Sequence, residues 1–372
     1  MVYHLLTDAE PFSEISGGAI SRWVANVVRN REEVVVCPSY DSTWHFPQHR
    51  VLYLPKYKYL SKIGRLWRYS PALAKRAVLR VIFRPLIDIL QHGDIVWVHN
   101  RPEFAAFLAP VTRTKGASVV LHMNNSHLRY ASSEDVNTIH AESVPLMFCS
   151  SFLAEEALAT HPQLRARANV LFNGADGQLF HPDEHHSGKR VQIVFAGRLV
   201  AEKGVHVLMQ AMHLLGERNV PADCSIIGGA GFGTFETTKY VKSLQEQQAS
   251  NVKLIGYLAG EAYAARIRQA DIFCCPSVWQ EPFGMVTVEA MASGVPVIAT
   301  NVGGIPETLQ FGGGILIAPD NSEALADAIQ MLVADESKRK QLGVDAISAF
   351  QHHFAWQNIE SEYSAILNAI AK

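Results

Sequence analysis

Short runs of apolar, often β-branched residues alternate with longer helical patterns along this chain, and the alternation occurs in two successive series. The strand candidates of the two series begin at Val2, Val34, Ile95, Ser118, Pro145, and then at Gln192, Cys224, Val252, Ile272 and Val297. Continuous apolar strands separated by helices are typical of parallel sheets that are covered on both faces. The pattern therefore predicts two doubly wound α/β domains.

The length supports two domains, since 372 residues divide into units of ordinary size. We expect a Rossmann-like domain over residues 1–176 and a second over residues 177–350, with the polar segment 181–190 as their connection. The remainder, 351–372, contains an amphipathic helix that we expect to pack back on the first domain. One face of this helix carries Ile359, Tyr363, Ile366 and Ile370.

The overall composition excludes several classes of protein. A net charge of −2 argues against nucleic-acid binding, and a mean hydropathy of +0.04 is not that of a membrane protein. The amino-terminus lacks the basic flank and apolar core of a signal peptide, so we expect a cytoplasmic protein. The five cysteines form no CxxC pair, which predicts reduced, mostly buried thiols without a zinc site.

One stretch is strongly basic, unlike the chain as a whole. Residues 56–84 contain nine Lys or Arg and no acidic residue, interleaved with Tyr and Trp. Such a segment fits an anionic membrane surface, where each basic residue contributes ~1 kcal/mol. A solvated helical face or a loop that holds an anionic acceptor would give the same composition. If the stretch binds lipid, the protein is peripheral on the inner face of the cell membrane.

The loop after the strand that begins at Gln192 reads Gly197-Arg198-Leu199-Val200-Ala201-Glu202-Lys203-Gly204 and leads into a helical pattern. Arg198 and Lys203 place two cations beside a helix amino-terminus, where backbone N–H groups already favour an anion. Phosphate is the natural ligand of such a loop. The alternative is ordinary surface charge.

A second polar motif runs from Glu281 to Met291, after the strand that ends at Cys275. It combines a carboxylate, a glycine that permits close backbone approach, a helix start, and Glu289 among apolar neighbours. Because an unpaired carboxylate is costly in an apolar setting, a ligand with two hydroxyls would satisfy Glu289. The alternative partner is a neighbouring backbone group or cation.

The glycine-rich run 228–233 also follows a strand, but it does not make a dinucleotide fingerprint. Starting at Gly229 the sixth position is Thr234, and starting at Gly231 it is Glu236. A dehydrogenase is therefore disfavoured, and we interpret the run as a flexible loop near a ligand.

Taken together, these motifs resemble the retaining GT-B glycosyltransferases of family 4, also called group 1. The resemblance rests on Glu281 and Glu289 with seven residues between them, on the Gly197–Gly204 loop, on the turn Asn173-Gly174-Ala175-Asp176 with Phe180, and on Pro276-Ser277. The runs 98–103, 121–125 and 281–286 are similar to transferases of the lipopolysaccharide core that add N-acetylglucosamine or glucose. The expected fold is GT-B, two facing Rossmann-like domains with a cleft and a crossover helix.

The resemblance implies roles for residues in the second domain. Arg198 and Lys203 would bind the diphosphate of the donor, and Glu289 would hold the ribose hydroxyls. Glu281 would hold hydroxyls of the donor sugar together with Phe283, Gly284, Met285 and Val286. Tyr257 and Leu258 would lie near the base, and Gly229 near the nucleotide.

In the first domain the resemblance implies that Gly17 and Gly18 approach the donor phosphate or the acceptor. His122 would lie beside the reacting sugar, although a strand-end histidine without such a role is the alternative. The expected contacts to the acceptor come from His99, Asn124 and Asn125.

The implied activity is transfer of a hexose, first N-acetylglucosamine or glucose from a UDP-sugar, to a hydroxyl of a cell-envelope glycan or glycolipid. No Asp-x-Asp triplet occurs in the sequence, so we expect no metal and no other cofactor. Front-face displacement, with the leaving phosphate helping to deprotonate the acceptor, follows from the resemblance. A sugar-nucleotide 2-epimerase and a catalytically silent GT-B subunit remain alternatives.

Overall fold

A computed structural model of the protein describes residues 1–7, 12, 18–29, 31–37, 49–54, 72–183, 188, 190–231 and 238–370. The chain divides into two compact units. The amino-terminal unit comprises Met1–Phe172 and Glu360–Lys372, and the carboxyl-terminal unit comprises Asn173–Ile359.

The amino-terminal unit contains a seven-stranded parallel sheet with the order β3-β2-β1-β4-β5-β6-β7. Its strands are β1 Val2–Leu5, β2 Val34–Cys37, β3 Arg50–Tyr53, β4 Ile95–His99, β5 Ser118–Met123, β6 Leu146–Phe148 and β7 Ala168–Val170. Its α-helices are Ala19–Val27, Ala72–Ile89, Pro102–Arg113, Ser133–Ala141 and Ser151–Thr160. Two 3₁₀ turns, Ser126–Tyr130 and Pro162–Arg167, join these elements.

The carboxyl-terminal unit contains a six-stranded parallel sheet with the order β10-β9-β8-β11-β12-β13. Its strands are β8 Val191–Ala196, β9 Ala222–Ile227, β10 Val252–Gly256, β11 Ile272–Cys275, β12 Val297–Thr300 and β13 Gly314–Ile317. Its α-helices are Val205–Glu217, Lys239–Glu246, Gly260–Arg268, Met285–Ala292, Ile305–Leu309, Ser322–Ala334 and Glu336–Ala349. A 3₁₀ turn, Ala201–Lys203, and a π-helical turn, Phe350–Phe354, complete the unit, and the helix Trp356–Ile370 follows.

The two sheets share one strand order, in which the first strand of each unit lies between its second and its fourth. This is the doubly wound order, and ligands of such sheets bind at the carboxyl ends of the strands where the order reverses. The predicted α/β class and GT-B type are confirmed. The sequence did not predict β3, β7 and β13, which lie at or next to the sheet edges.

The strands have this arrangement because their side chains are apolar on both faces. All four residues of β2, β11 and β12 are buried, and Trp97 on β4 is 0% exposed. All five cysteines are buried, as predicted. Within the described ranges, no helix is long and apolar enough to cross a membrane.

The division between the units falls at Phe172/Asn173 and at Ile359/Glu360, whereas the sequence suggested 176/177 and 350/351. The polar segment 181–190 lies inside the carboxyl-terminal unit and does not connect the two. The reason is that Phe180 packs on Tyr263, with ring centroids 5.8 Å apart, and Asp183 pairs with Arg268 at 3.1 Å. Residues 184–187 and 189 of this segment lie outside the described residues.

Candidate active site

The loops after β8 and β11 carry three charged residues that the sequence motifs singled out, and these two strands are neighbours at the point where the strand order reverses. Arg198 and Lys203 lie in the loop after β8, and Glu281 lies in the loop after β11. Because the carboxyl ends of parallel strands share one edge of the sheet, the fold brings these side chains to the edge where ligands bind.

Close backbone packing holds the two loops together. Gly204 has a φ of +67°, and a Cβ at this position would lie 1.8 Å from the carbonyl oxygen of Pro276. The N–H of Val278 donates to the carbonyl of Glu202 at 2.9 Å. Only glycine combines this left-handed conformation with such an approach, so Gly204 fixes the position of Lys203 against the β11 loop.

Lys203 forms an ion pair with Glu281 through Nζ and Oε1, and the same Oε1 accepts a 2.8 Å hydrogen bond from Ser277. Glu281 is 6% exposed. The backbone N–H of Gly304 also donates to the carbonyl of Glu281, at 2.7 Å. A buried carboxylate with this many partners has a fixed orientation, which is what recognition of a hydroxyl requires.

Arg198 differs from Lys203 in its surroundings. Its side chain is exposed, and it makes no hydrogen bond or ion pair with any other residue in the described ranges. The loop that carries it is anchored, since the N–H of Leu199 donates to the carbonyl of Gly229 at 2.8 Å. Arg198 is therefore a guanidinium available to an anionic group at this edge.

The helix Met285–Ala292 begins four positions after Glu281. Gly284 precedes its first residue with a φ of +99°, and no side chain caps this end of the helix. Phe283 is buried, whereas Gly284, Met285 and Val286 are half-buried. The amino-terminal end of this helix thus directs backbone N–H groups and the positive end of the helix dipole toward the carboxyl edge of the sheet.

Glu289 lies on this helix and is 4% exposed. The hydroxyl of Tyr263 donates to its Oε2 at 2.5 Å. Tyr263 therefore supplies a partner that the sequence did not suggest, because it comes from a different helix, Gly260–Arg268. This contact shows how the apolar helix accommodates a carboxylate.

The other residues assigned to the donor lie at the same edge of the same sheet. Tyr257 and Leu258 follow β10 directly and are half-buried, and Gly229 follows β9. The loops after β9 and β10 are joined by a 2.9 Å hydrogen bond from the N–H of Gly228 to the carbonyl of Gly256.

Trp279 is a candidate site residue that the sequence interpretation did not identify. It is 37% exposed, and Nζ of Lys203 lies 5.6 Å from its ring centroid. Its neighbour Gln280 accepts a 2.7 Å hydrogen bond from the N–H of Gly303, which ties the loop after β11 to the loop after β12. A Trp two positions before Glu281 was the signal available in the sequence.

In the amino-terminal unit, β4 and β5 place His99 directly opposite His122. Both side chains are 0% exposed. His122 packs edge-on against Trp23 with ring centroids 4.7 Å apart, and neither of its ring nitrogens has a hydrogen-bond partner among the described residues. Burial lowers the pKa of His122 to about 3, with a smaller effect of His4, so the ring is neutral at pH 7.

The residues after these strands form a polar turn at the carboxyl edge of the amino-terminal sheet. Asn100 has a φ of +55° and accepts a 2.5 Å hydrogen bond from the N–H of Asn124. Asn125 caps the 3₁₀ turn by accepting from the N–H of His127 at 3.0 Å. Asn100 was not assigned from the sequence, although a non-glycine residue in this conformation is typical of functional turns.

Some of the predicted positions lie outside the described residues. Gly17 and residues 56–71 lie outside the described residues, whereas Gly18 precedes the helix Ala19–Val27 in extended conformation. The described part of the basic stretch is the helix Ala72–Ile89, on which Arg80 and Arg84 are exposed. Within the described ranges, no group of three or more His, Cys, Asp or Glu could hold a metal ion.

Residues 178–348 match the family model described as "Glycosyl transferases group 1". Spore coat protein SA of Bacillus subtilis is 29% identical over 287 residues, which are 72% of this chain and 76% of that protein. D-inositol 3-phosphate glycosyltransferase of Corynebacterium urealyticum is 32% identical over 222 residues, or 55% of this chain. The chain spans about half of the latter relative's length, 51%.

Among solved structures, Anabaena HepE in complex with UDP and glucose superimposes with a TM-score of 0.71 at 20% identity. The match covers 98% of this chain and 99% of the other. At this level of identity the likeness concerns the fold.

Proposed function

We propose that this chain, whose residues 178–348 match the group 1 glycosyl transferase model, moves a hexose from a nucleotide-sugar donor to a hydroxyl with retention of configuration. The observation that carries the proposal is the Lys203–Glu281 ion pair at the reversal point of the sheet, with Glu289 eight positions after Glu281.

The candidate site offers two kinds of binding group to a nucleotide-sugar donor. Arg198, Lys203 and the start of the helix Met285–Ala292 favour a diphosphate, since all three present positive charge or N–H groups. Glu281 and Glu289 are acceptors held in fixed orientation by Ser277 and Tyr263, and they suit the hydroxyls of a sugar and a ribose.

We propose a UDP-hexose as the donor, with N-acetylglucosamine or glucose as the first candidates. The support is the UDP and glucose named for Anabaena HepE, together with the resemblance of the three motifs described above to core transferases. The proposed acceptor is a hydroxyl of a cell-envelope glycan or glycolipid.

The proposed mechanism follows from where charge develops. Breaking the bond between sugar and phosphate places negative charge on the leaving diphosphate, and fixed cations at that point lower the barrier. Arg198 and Lys203 supply those cations from the protein itself, so we propose a reaction that needs no metal. Retention would arise from front-face displacement, in which the leaving phosphate helps to remove the proton of the acceptor hydroxyl.

The exposed face of the helix Ala72–Ile89 supports a further part of the proposal, binding to an anionic membrane surface. Arg80 and Arg84 are exposed beside Val81, which is 66% exposed. Cations that flank an apolar side chain suit the boundary between lipid headgroups and acyl chains. Association with a membrane would bring the enzyme to a lipid-linked acceptor.

The proposal is tested by thermal unfolding with UDP, GDP and ADP, each alone and as its glucose conjugate. A ligand at 100 times its Kd stabilises the folded chain by about 2.7 kcal/mol. We expect UDP to raise the unfolding temperature, and Glu289→Ala to abolish that shift. Glu246→Ala, at an exposed position of a helix in the same unit, is the control and should keep it.

The reaction products then distinguish a transferase from a sugar-nucleotide 2-epimerase. Slow release of UDP and glucose from UDP-glucose, accelerated by an acceptor glycan, supports a transferase. Formation of a 2-epimeric sugar without acceptor would instead establish an epimerase. Absence of any nucleotide-dependent shift would overturn the assignment of the site.

A further inference from the structure

Trp279 differs in exposure from the other tryptophans that the structure describes. Trp23, Trp97 and Trp356 are at most 8% exposed, whereas Trp279 is 37% exposed. An indole has a large apolar surface, and its burial in a core would stabilise the fold. Because single exposed apolar side chains are common, exposure alone assigns no role. The surroundings of Trp279 decide what its ring can do.

The backbone of the loop that carries Trp279 is held on both sides of this residue. Before it, the N–H of Val278 donates to the carbonyl of Glu202 at 2.9 Å. After it, the side-chain oxygen of Gln280 accepts from the N–H of Gly303 at 2.7 Å. The indole is therefore exposed on a backbone with a defined position. A side chain presented in this way has less freedom to lose when a ligand binds.

Lys203 joins this indole to the buried carboxylate of Glu281. Its Nζ forms an ion pair with Oε1 of Glu281 and lies 5.6 Å from the centroid of the Trp279 ring. That distance is within the range of a cation–π contact, so one ammonium group interacts with both the ring and the carboxylate. The aromatic surface and the hydrogen-bond acceptor are therefore close neighbours at the carboxyl edge of the sheet.

These two groups together match the chemistry of a pyranose. The hydroxyls of a pyranose project around the rim of its ring, whereas the C–H groups make its faces partly apolar. A fixed carboxylate accepts hydrogen bonds from the hydroxyls, and a flat aromatic ring removes the apolar face from water. A phosphate has no use for an aromatic surface and is repelled by a carboxylate. The combination of Trp279 and Glu281 therefore favours a sugar over a phosphate.

We propose that the indole of Trp279 packs against the apolar face of the donor hexose while Glu281 accepts hydrogen bonds from the hydroxyls of the same sugar. The assignment of the donor sugar to Glu281 rests on the proposed function. Trp279 is then a binding residue for the hexose and not for the nucleotide. Its contribution belongs to the affinity for a nucleotide-sugar and is absent from the affinity for the nucleotide alone.

The test is isothermal titration calorimetry of the full chain with UDP and with UDP-glucose, two ligands that share the nucleotide and differ by the hexose. Trp279→Ala removes the aromatic face, and we expect the Kd for UDP-glucose to rise about tenfold. The Kd for UDP should stay within about twofold of native. Trp279→Phe keeps a smaller aromatic ring and should recover part of the lost affinity for UDP-glucose.

Phe311→Ala is the matched control. Phe311 is 39% exposed and belongs to the same unit, but it lies just before β13 and so at the amino edge of the sheet, away from the candidate site. We expect this variant to bind both ligands as the native chain does. A loss of affinity for UDP-glucose equal to that of Trp279→Ala would reflect removal of any exposed aromatic side chain, and it would overturn the proposal.

The comparison of the two ligands separates a contact with the hexose from an effect on Lys203. If Trp279 only supports Lys203, which is proposed to bind the diphosphate, Trp279→Ala will weaken UDP and UDP-glucose by the same factor. Equal factors would therefore overturn the assignment of the ring to the hexose. An unchanged Kd for UDP-glucose in Trp279→Ala would overturn it as well.

The native chain distinguishes this inference from the proposed function. Binding of UDP-glucose by the native chain, with no change in Trp279→Ala, would refute the role of Trp279 and leave the proposed function standing. A native chain that binds neither UDP nor UDP-glucose would overturn both. Because Trp279 is exposed, we expect its variants to fold, and thermal unfolding of each variant without ligand checks this.

Discussion

Lys203 and Glu281 form an ion pair between two loops, although they lie 78 positions apart in the sequence. Each side chain depends on the other, because a buried carboxylate that loses its cation is left without compensation. The pair joins the residues proposed for the diphosphate to those proposed for the sugar. A change at Lys203 should therefore affect both parts of the site.

We expect Lys203→Met to lower the rate of UDP release from UDP-glucose by about 10²- to 10³-fold, the range seen when one group that stabilises developing charge is removed. Lys253→Met neutralises an exposed lysine in the same unit and is the control, for which the rate should stay within twofold of native. Steady-state assays of UDP release with both variants measure the effect of each substitution on the rate. A Lys203→Met enzyme with more than half of the native rate would show that the cation is dispensable.

Replacement by alanine should have opposite effects on stability at Gly204 and Gly216, which lie at the two ends of the helix Val205–Glu217. Gly204→Ala forces a Cβ to within 1.8 Å of a carbonyl oxygen in a left-handed conformation, and we expect it to destabilise the unit by more than about 3 kcal/mol. In Gly216→Ala the nearest atom is 3.9 Å away, and replacing a glycine inside a helix should stabilise by about 0.5–1 kcal/mol. Urea unfolding measures both, and equal effects would argue against the described packing of the loops.

The hydrogen bond from Tyr263 to Glu289 should contribute measurably to the free energy of unfolding. Tyr263→Phe leaves the carboxylate without this donor, and we expect a loss of about 1–3 kcal/mol in the free energy of unfolding. Tyr130→Phe removes the hydroxyl of a tyrosine that is 76% exposed and should change stability by less than about 0.5 kcal/mol. Similar values for the two variants would mean that the contact contributes nothing.

Acid should destabilise the amino-terminal unit through its buried histidines. The pKa of His122 in the folded chain is about 3, below its ordinary 6.5, so the unfolded chain binds the proton first as the pH falls. Stability from this group is complete above pH 6.5 and is lost as the pH falls from 6.5 toward 3, by up to about 1.4 kcal/mol per pH unit. His122→Phe should reduce the slope of stability against pH between 6 and 4 by that amount, measured by urea unfolding. A slope that does not change would refute the described burial.

Binding to lipid can be tested on the described part of the basic stretch. Replacing Arg76, Arg80 and Arg84 by Gln removes about 3 kcal/mol of attraction to an anionic surface, which corresponds to a roughly 10²-fold weaker association. Co-sedimentation with vesicles of phosphatidylglycerol and phosphatidylcholine measures it. The control replaces Lys239, Lys242 and Lys253, exposed in the carboxyl-terminal unit, and should bind as the native chain does. Equal loss in both sets would indicate a general charge effect.

The fold could be predicted because its strands are apolar on both faces. Val34–Cys37, Ile272–Cys275 and Val297–Thr300 are strands with the bounds that the sequence suggested. The strand Arg50–Tyr53 was missed because its first residue is exposed and the others are only half-buried. The same holds for Ala168–Val170, where no side chain is fully buried. Edge strands carry a weaker apolar signal than central ones.

The placement of the candidate residues was predictable where motif and strand end coincide, as at Arg198, Lys203 and Glu281. It was not predictable where a partner comes from a distant element, as Tyr263 does for Glu289. The contact between Glu33 and Tyr363 is the extreme case, since these residues lie 330 positions apart and no local pattern joins them. Periodicity indicates that Tyr363 is buried, but not that its hydroxyl meets a carboxylate.

The return of residues 360–370 to the amino-terminal unit has a consequence for synthesis on the ribosome. All of the carboxyl-terminal unit emerges before Tyr363 does, and it can fold while the earlier unit still lacks the hydroxyl that Glu33 and His4 require. A nascent chain stalled at residue 359 would hold a buried carboxylate and imidazole without their third partner. The amino-terminal unit is therefore completed only after the whole carboxyl-terminal unit has been synthesised, so the order of synthesis is not the order in which the two interiors are completed.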